Sequence, residues 1–454
     1  MLPYDTAPIA AIATAPGRGG IGVIRISGQN LSSLALSLLK IKPTPRHAHY
    51  LPFTDETGEL IDSGIAIFFN APNSYTGEDV LELQGHGGTA VMQALLSNVI
   101  KRGKEIGLRL AEPGEFSLRA FINNKIDLVQ AEAVADLINA SSAEAAHAAA
   151  LSLSGHFSTE INALADEIVA LRTLVEATLD FPEEEIEFIE KHQVKPRIGF
   201  LVQKFESLLS TTKRSVYLSE GLRVVLAGEP NVGKSSLMNA LFDENISIVS
   251  DIAGTTRDSI KDHLQLDGIP ITVTDTAGLR FTNDEIEKLG IERTLVAIES
   301  SNVILDIVDI RQPASILKSF SSSILLTNKN IITVFNKIDL LETNVDHSST
   351  NIGVNVSAVT GEGLSELRKA ILKLIGRQLG ERSPWLARKR HVLAIEQGLD
   401  HLHQAYFFAC EDDRALDLLA EELRLCHDQI GTITGHMNAD VLLGHIFSSF
   451  CIGK

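Results

Sequence analysis

An apolar run, Leu222 to Ala227, leads straight into Gly228-Glu229-Pro230-Asn231-Val232-Gly233-Lys234-Ser235, and Ser236-Leu237-Met238-Asn239-Ala240-Leu241 comes next with the composition of a helix. This G-x-x-x-x-G-K-[ST] spacing in a strand–loop–helix setting constrains the fold more than any other stretch of the chain. Its glycines let the backbone come close enough for N–H groups to cradle phosphate oxygens, and the helix N-terminus adds a favourable dipole. Lys234 reaches the β/γ-phosphates, and the Ser235 hydroxyl can ligate Mg²⁺. A glycine-rich turn before a helix looks the same in isolation, so the decision rests on three further motifs downstream.

Asp275-Thr276-Ala277-Gly278 comes directly after the alternating strand Ile271-Thr272-Val273-Thr274, which sets Asp275 at a strand end, able to hold Mg²⁺ through water. Asn336-Lys337-Ile338-Asp339 ends the strand Ile331 to Phe335. A carboxylate there can accept two hydrogen bonds from guanine, N1–H and the 2-amino group, a pair adenine does not offer. Ser357-Ala358 ends a further strand and could present a backbone N–H to guanine O6. Four motifs in this order predict a GTP-binding domain. Its strands alternate with helical stretches such as Glu285 to Ile298 and Glu362 to Ile375, which implies a mostly parallel sheet covered on both faces.

The 454 residues exceed one typical core, so two or three domains are expected. A net charge of −18, from 40 basic and 58 acidic residues, argues against a broad phosphate-tracking surface. Cys410, Cys426 and Cys451 lack metal-ligand spacing and fit a reducing compartment. The apolar stretch Ile9 to Ala15 has no preceding Lys or Arg and does not read as a signal peptide. No run approaches a membrane span, and a cytoplasmic protein without a membrane partner is expected.

Residues 1–118 read as an α+β domain. Short strands are expected at Ile9 to Thr14, Ile21 to Ser27, Gly64 to Phe69 and Asp79 to Gln84, with a helix from Thr89 to Arg102. Pro16-Gly17-Arg18-Gly19-Gly20 is a turn whose arginine reads as exposed. Arg25 and Glu82 interrupt apolar strands, and each needs a partner or a ligand; pattern alone favours a structural ion pair or a solvated edge. Residues 119–217 read as helical, with Leu164, Ile168, Leu171, Leu174, Val175 and Leu179 on one apolar face. The acidic run Glu183-Glu184-Glu185, with Glu187 and Glu190, reads as solvated and is assigned no ligand. Residues 379–454 are helical again, so the nucleotide domain, residues 218–378, is expected to be inserted into one discontinuous helical domain.

Where a glutamine commonly orients the attacking water, Leu279 follows the Asp-Thr-Ala-Gly motif and cannot polarise water. Candidates on the next helix are Asp284, Glu285 and Glu287. Arg257 and Arg280 are near in sequence, but neither is obviously dedicated to the transition state. A monovalent cation is the alternative source of charge. Asn231 offers an amide oxygen, and backbone carbonyls from Ser250-Asp251-Ile252-Ala253-Gly254-Thr255 could complete a cage for an ion such as K⁺. Spacing alone leaves Asn231 equally readable as a loop-stabilising hydrogen bonder.

Gly-x-Pro-Asn-x-Gly-Lys-Ser, Asp251-Ile252-Ala253-Gly254-Thr255-Thr256-Arg257-Asp258 and the terminal Cys451-Ile452-Gly453-Lys454 together resemble the MnmE (TrmE) family of tRNA modification GTPases. Pro16-Gly17-Arg18-Gly19-Gly20, Tyr75-Thr76-Gly77-Glu78-Asp79 and Pro113-Gly114-Glu115-Phe116 extend the resemblance over essentially the full length. The resemblance implies a multidomain α/β and α+β protein: an N-terminal α+β tetrahydrofolate-binding and dimerisation domain, an all-α helical domain, and an inserted Ras-like P-loop GTPase domain that dimerises in the transition state. It implies GTP contacts along Asn231 to Ser236, Ser250 to Thr256, Asp275 to Gly278, Asn336 to Asp339 and Ser357 to Ala358. By resemblance, Asn231, Ser250, Ile252 and Thr255 hold K⁺, Ser235 and Thr256 hold Mg²⁺, and Glu287 joins Lys234 in catalysis by orienting the water.

The same resemblance places a folate, as 5-formyl- or 5,10-methylene-tetrahydrofolate, on Arg25, Glu82, Lys125 and Lys454, which reverses the structural preference for the two strand charges. Cys451 is left open as nucleophile, proton donor or packing residue. The implied partners are tRNA, a second copy of the chain, and an MnmG-like flavoprotein carrying FAD in a heterotetramer. The implied product is an aminomethyl-type group, such as carboxymethylaminomethyl, at C5 of the wobble uridine. A regulatory GTPase switch acting on ribosomal RNA or a signalling partner is the rival reading, and folate binding discriminates the two.

Overall fold

The computed structural model describes residues 5–180, 193–241, 264–275, 298–311, 330–341, 353–378, 380–410, 415–435 and 453. They fall into two compact units: Met1–Ala135 with Leu153–Leu174 and Leu423–Lys454, and Asp136–Ser152 with Val175–Glu422.

The first unit is built on strands β1 (Ile9–Ile12), β2 (Gly19–Gly28), β3 (His49–Thr54), β4 (Leu60–Phe69), β5 (Asp79–Gly87) and β6 (Arg109–Leu110), ordered β3-β4-β5-β2-β1-β6. Neighbours are antiparallel except β1 with β6. Helices α1 (Ser32–Leu39) and α2 (Thr89–Arg102) share one core with Ile24, Ile26, Leu81, Leu83 and Phe68. Side chains alternate across a strand, so Arg25 and Glu82, each between two of those core residues, stand on the opposite face.

The expected strands are present; β1 stops at Ile12, short of the expected Thr14, while β2, β4 and β5 are longer than their apolar patterns, because backbone pairing recruits neighbours such as Gly19 and Leu60 that carry no alternation. Sequence reasoning missed β3. It contains Pro52, which removes a ladder donor and is tolerated because β3 lies at the sheet edge.

The stretch read as helical forms α3 (Glu115–Ile122), α4 (Leu128–Asn139), α5 (Ala143–Leu153), α6 (His156–Asp180) and α7 (Val194–Glu220). On α6, Leu164, Ile168, Leu171 and Val175 are buried as the spacing requires, while Leu179 is 40% exposed. The acidic residues 183 to 190 lie outside the described residues.

The second unit holds a sheet of β7 (Leu222–Ala227), β8 (Leu264–Leu266), β9 (Ile269–Asp275), β10 (Val303–Asp309), β11 (Asn330–Asn336) and β12 (Gly353–Asn355), ordered β12-β11-β10-β7-β9-β8. Only the β8–β9 hairpin is antiparallel. Helices α8 (Lys234–Leu241) and α9 (Leu364–Leu374) pack Leu237, Leu241, Leu367 and Ile371 against Val224, Leu226, Leu305 and Val334. Because β7 lies between β10 and β9, the loop leaving its carboxyl end opens at a switch point of the strand order, where α/β sheets bind ligands.

Helix α10 (Lys389–Ala409) runs antiparallel to α7: Gly199 lies near Tyr406, Lys213 pairs with Glu396 at 2.7 Å, and Glu220 pairs with Lys389 at 2.9 Å. The chain therefore leaves for the nucleotide sheet and returns from it at neighbouring points, which is the insertion expected from helical flanks. Gly221, at φ 77°, caps α7 and turns the chain into β7. Helix α11 (Leu416–Thr434) completes the described elements. No described helix is long and apolar enough to cross a membrane.

Candidate functional sites

The loop after β7 is shaped by close backbone approach. Gly228 has φ 140°, and a β-carbon there would lie 2.3 Å from the Ile307 carbonyl oxygen. Gly233, at φ 95°, leaves 2.5 Å between such a carbon and Asn336 Nδ2. Both glycines are therefore required by space as well as by conformation. Asn231 has φ 67°, a left-handed geometry that asparagine tolerates better than most residues. Lys234 opens α8, and its ammonium donates to the carbonyls of Gly228 at 3.0 Å and Glu229 at 3.1 Å. Ser235 and Ser236 follow in the first helical turn.

Asn336, 1% exposed, ties this loop to the loop after β12. Its Nδ2 donates to Val232 O at 2.8 Å, and its Oδ1 accepts from the Ala358 N–H at 3.2 Å. Lys337 Nζ donates to Asn231 O at 2.6 Å and to Asp309 Oδ2 at 2.8 Å. Ile338 and Asp339 form a short 3₁₀ turn, and Ser357 Oγ donates to Asp339 Oδ1 at 2.5 Å.

The structure thus gathers Asn231 to Ser236, Asn336 to Asp339 and Ser357 to Ala358 at one end of the sheet. Asp275 ends β9, where its backbone pairs with Leu226 of β7. Ser250, Asp251, Ile252, Ala253, Gly254, Thr255, Thr256, Thr276, Ala277, Gly278 and Glu287 lie outside the described residues, as do Arg257, Leu279, Arg280, Asp284 and Glu285. Asp309 escaped sequence reasoning. Its signal was an acid closing the otherwise buried strand Val303–Asp309, two residues before Arg311. Hydrogen bonds from Arg311, then from Lys337, hold its carboxyl well below the usual carboxylate range.

On the first sheet, Arg25 and Glu82 are register partners on β2 and β5, with Nε to Oε1 at 2.9 Å. Ala11 pairs with Arg25 and Ile67 with Glu82, so a row Ile67–Glu82–Arg25–Ala11 crosses four strands. The Arg25 guanidinium lies 5.6 Å from the Tyr75 ring centroid and 5.8 Å from that of Phe116, within cation–π range. The Tyr75 hydroxyl bonds Ser117 Oγ at 2.8 Å, and burial pushes its phenol up. Lys125 runs along Gly77, where an added β-carbon would be 3.2 Å from its Cγ.

Lys454 and Cys451 lie outside the described residues, but Gly453 is described and buried. At φ 100° it sits so close to β1 that a β-carbon would be 2.5 Å from Ile12 O and 2.9 Å from Ala13 Cα. Ile12 is the strand neighbour of Ala11, the partner of Arg25. Gly453 is therefore seated one residue along from the Arg25–Glu82 row.

On the same face as Arg25, through Ser27, runs a buried network that sequence reasoning also missed. Arg119, 0% exposed, donates to both oxygens of Glu78 at 3.2 and 3.0 Å, to Glu115 Oε1 at 2.9 Å and to Ala7 O at 2.7 Å. Ser27 Oγ bonds Glu78 at 2.8 Å and Thr76 at 2.7 Å. Burial raises the Glu115 carboxyl, but its bonds from Arg109, the Glu112 N–H and Arg119 outweigh that and leave it below the ordinary value. The motifs Tyr75 to Asp79 and Pro113 to Phe116 thus carry the aromatic pair around Arg25 and the acids that hold Arg119.

Among the described residues no group of three or more His, Cys, Asp or Glu could hold a metal ion, and neither Cys410 nor Cys426 is in a disulfide. The donor sets fit Mg²⁺ and K⁺ differently: Ser235 supplies a hydroxyl at the opening of α8, while Asn231 supplies a neutral amide from a left-handed backbone. For a folate, Glu82 keeps Oε2 without a hydrogen bond from a described residue, beside a guanidinium backed by two rings.

A parallel sheet with a phosphate loop at its switch point, stapled by Asn336 to an Asn-Lys-x-Asp turn, defines a guanine-nucleotide-binding P-loop domain, here carried on a chain with a second, α+β sheet. Residues 128–451 match the family model of the MnmE helical domain, and residues 8–125 that of the GTP-binding protein TrmE N-terminus. The chain is 57% identical over 447 residues to the tRNA modification GTPase MnmE of Bordetella petrii, covering 98% of each. It is 49% identical over 467 residues to that of Burkholderia thailandensis, covering 100% of each. The chain belongs to the MnmE family of tRNA modification GTPases. Solved structures it is similar to include the G domain of the T. maritima FeoB iron transporter, at 27% identity and a TM-score of 0.24, covering 34% of this chain and 98% of that one. Aquifex aeolicus Era is likewise 27% identical, at a TM-score of 0.25, covering 39% and 66%.

Proposed function

We propose that this GTP hydrolase is K⁺-dependent and works with an MnmG-like flavoprotein carrying FAD to build a carboxymethylaminomethyl-type group at C5 of the tRNA wobble uridine from a tetrahydrofolate one-carbon unit. The observation that carries the folate half is the seat of Gly453 on β1, at the strand neighbour of the residue paired with Arg25. The working division is a folate-binding and dimerising domain over residues 1–118, helical parts over 119–217 and 379–454, and the G domain over 218–378.

In the G domain, the ammonium of Lys234 turns from the loop carbonyls to the β/γ-phosphates. Asp339 accepts from guanine, and the Ser235 hydroxyl and Asn231 amide serve as donors to Mg²⁺ and K⁺. Those ions supply positive charge where phosphoryl oxygens gain negative charge. Glu287 orients the water in place of the missing glutamine. On the first sheet, Glu82 accepts a two-pronged pair from a pterin's amino group and ring N–H, while Arg25, Lys125 and Lys454 meet its oxygens. A folate supplies the one-carbon unit when bound. Ile21 at 68%, Tyr50 at 76% and Ile65 at 37% exposure give the unit apolar surface that suits a second copy of the chain.

Mass spectrometry of wobble nucleosides tests the reading. Cells lacking this protein should lose the C5 modification and regain it with the intact gene. Unchanged wobble nucleosides would favour the regulatory switch.

A further inference from the structure

Asp309 lies outside the four motifs of the nucleotide site, yet it makes the contacts that hold two of them together. It closes β10 with its side chain 10% exposed. Arg311 grips it from Nε at 2.9 Å and Nη2 at 2.6 Å, and its own N–H donates to Oδ1 at 3.1 Å. The other bond to Oδ2 comes from Lys337 Nζ at 2.8 Å, and the same ammonium donates to the main-chain carbonyl of Asn231 at 2.6 Å. Both ends of this span are non-glycine residues in the left-handed region, Lys337 at φ 70° and Asn231 at φ 67°. Such backbone persists where its surroundings over-determine it.

We propose that Asp309 is a positioning residue of the GTPase site: through Lys337 it clamps the Asn231 peptide and so fixes the phosphate loop and the direction in which the Asn231 amide points. An ordinary anchor for Arg311 would need no second cation, and Lys337 would need no acid to reach the loop. The ammonium is held between the carboxylate and the loop carbonyl, which gives it one position. Guanine recognition and the phosphate loop are thereby coupled through one side chain, since Lys337 belongs to the Asn-Lys-x-Asp turn.

The clamp rests on the nucleotide-site reading but is tested without ligand. Hydrogen–deuterium exchange on the full-length, nucleotide-free protein should show amides of Asn231 to Ser235 exchanging about 10- to 100-fold faster in Asp309→Asn, the range expected for losing a hydrogen bond to a charged group. Amides of β10 and β11 should keep wild-type protection. Arg311→Ala, at a half-exposed side chain, should shift the same loop amides in the same direction by less, and it answers the question if Asp309→Asn does not fold. Fluorescent GDP should leave Asp309→Asn faster than wild type. Loop exchange equal to wild type would overturn the clamp, and so would equal loosening of β10 and β11, which marks a packing role. Wild-type protein that binds no guanine nucleotide would overturn the site reading instead and leave the exchange result standing.

Discussion

At the scale of single residues, the two least ordinary positions are Asn231 and Arg119. Asn231 combines a left-handed backbone with an amide proposed as a cation ligand. GTP turnover should be much faster in K⁺ than in Na⁺, and Asn231→Ala should erase the difference while nucleotide binding persists. The backbone suggests a cleaner partner variant, because Asn231→Gly removes the amide without adding strain at φ 67°. Equal rates in both salts for the wild type would rule the cation out. Glu287→Ala should slow hydrolysis by about 10²- to 10⁴-fold with little change in GTP affinity; damage from Glu285→Ala instead would move the role to that residue.

Arg119 is different in kind. Removing it leaves Glu78 buried without its cation and Glu115 with Arg109 alone, so Arg119→Met should cost about 3–5 kcal/mol in denaturant unfolding. The same network sets a pH dependence. The folded carboxyl of Glu115 lies below its unfolded value of 4.5, so its contribution is complete above that value and disappears as pH falls through the lower folded value. Melting temperature should therefore fall as the solution is acidified below about pH 4.5, and less steeply in Glu115→Gln.

At the scale of elements, most of the framework was readable because it rests on short-range rules. The strand–loop–helix around Lys234, helix α2 and the strands carrying Arg25 and Glu82 follow from spacing alone. Three things were not readable. β3 pairs by backbone bonds at an edge and has little apolar alternation. Arg119 gains its role only when Glu78 comes to it from a distant segment and joins Glu115, one turn back on its own helix. Asp309 acquires its role only when β11 lays Lys337 alongside β10. For Arg119 and Asp309 the missing information is a contact across distant sequence, which local pattern does not encode. Gly453 makes the same point as a prediction. Nothing in Cys-Ile-Gly-Lys requires glycine until β1 is seen 2.5 Å from its missing β-carbon. Gly453→Val should displace the terminus and weaken 5-formyltetrahydrofolate binding as much as deleting Ile452 to Lys454.

At the scale of the whole molecule, the chain carries two sheets with separate cores, in two different units. The Arg25–Glu82 row, Lys125 and the seat of Gly453 all belong to the first unit, while Lys234, Asn231 and Asn336 belong to the second. Residues far apart with no shared partner act additively on stability, so changes to the first set should leave the nucleotide pocket intact. Glu82→Ala removes the acceptor proposed for a pterin and also leaves Arg25 without its acid. Glu82→Gln is the gentler probe, because it keeps the shape and one oxygen. Both variants should lose folate affinity in calorimetry, Glu82→Ala more than Glu82→Gln, and both should abolish wobble-uridine modification in cells. GTP hydrolysis in K⁺ should survive in both, measured on the same preparations. Folate affinity unchanged in Glu82→Ala and in the chain lacking Ile452 to Lys454 would mean that the two termini do not build this pocket. Hydrolysis lost along with folate binding would mean that the first unit controls the second, and the chemistry of the two sites would have to be treated as one.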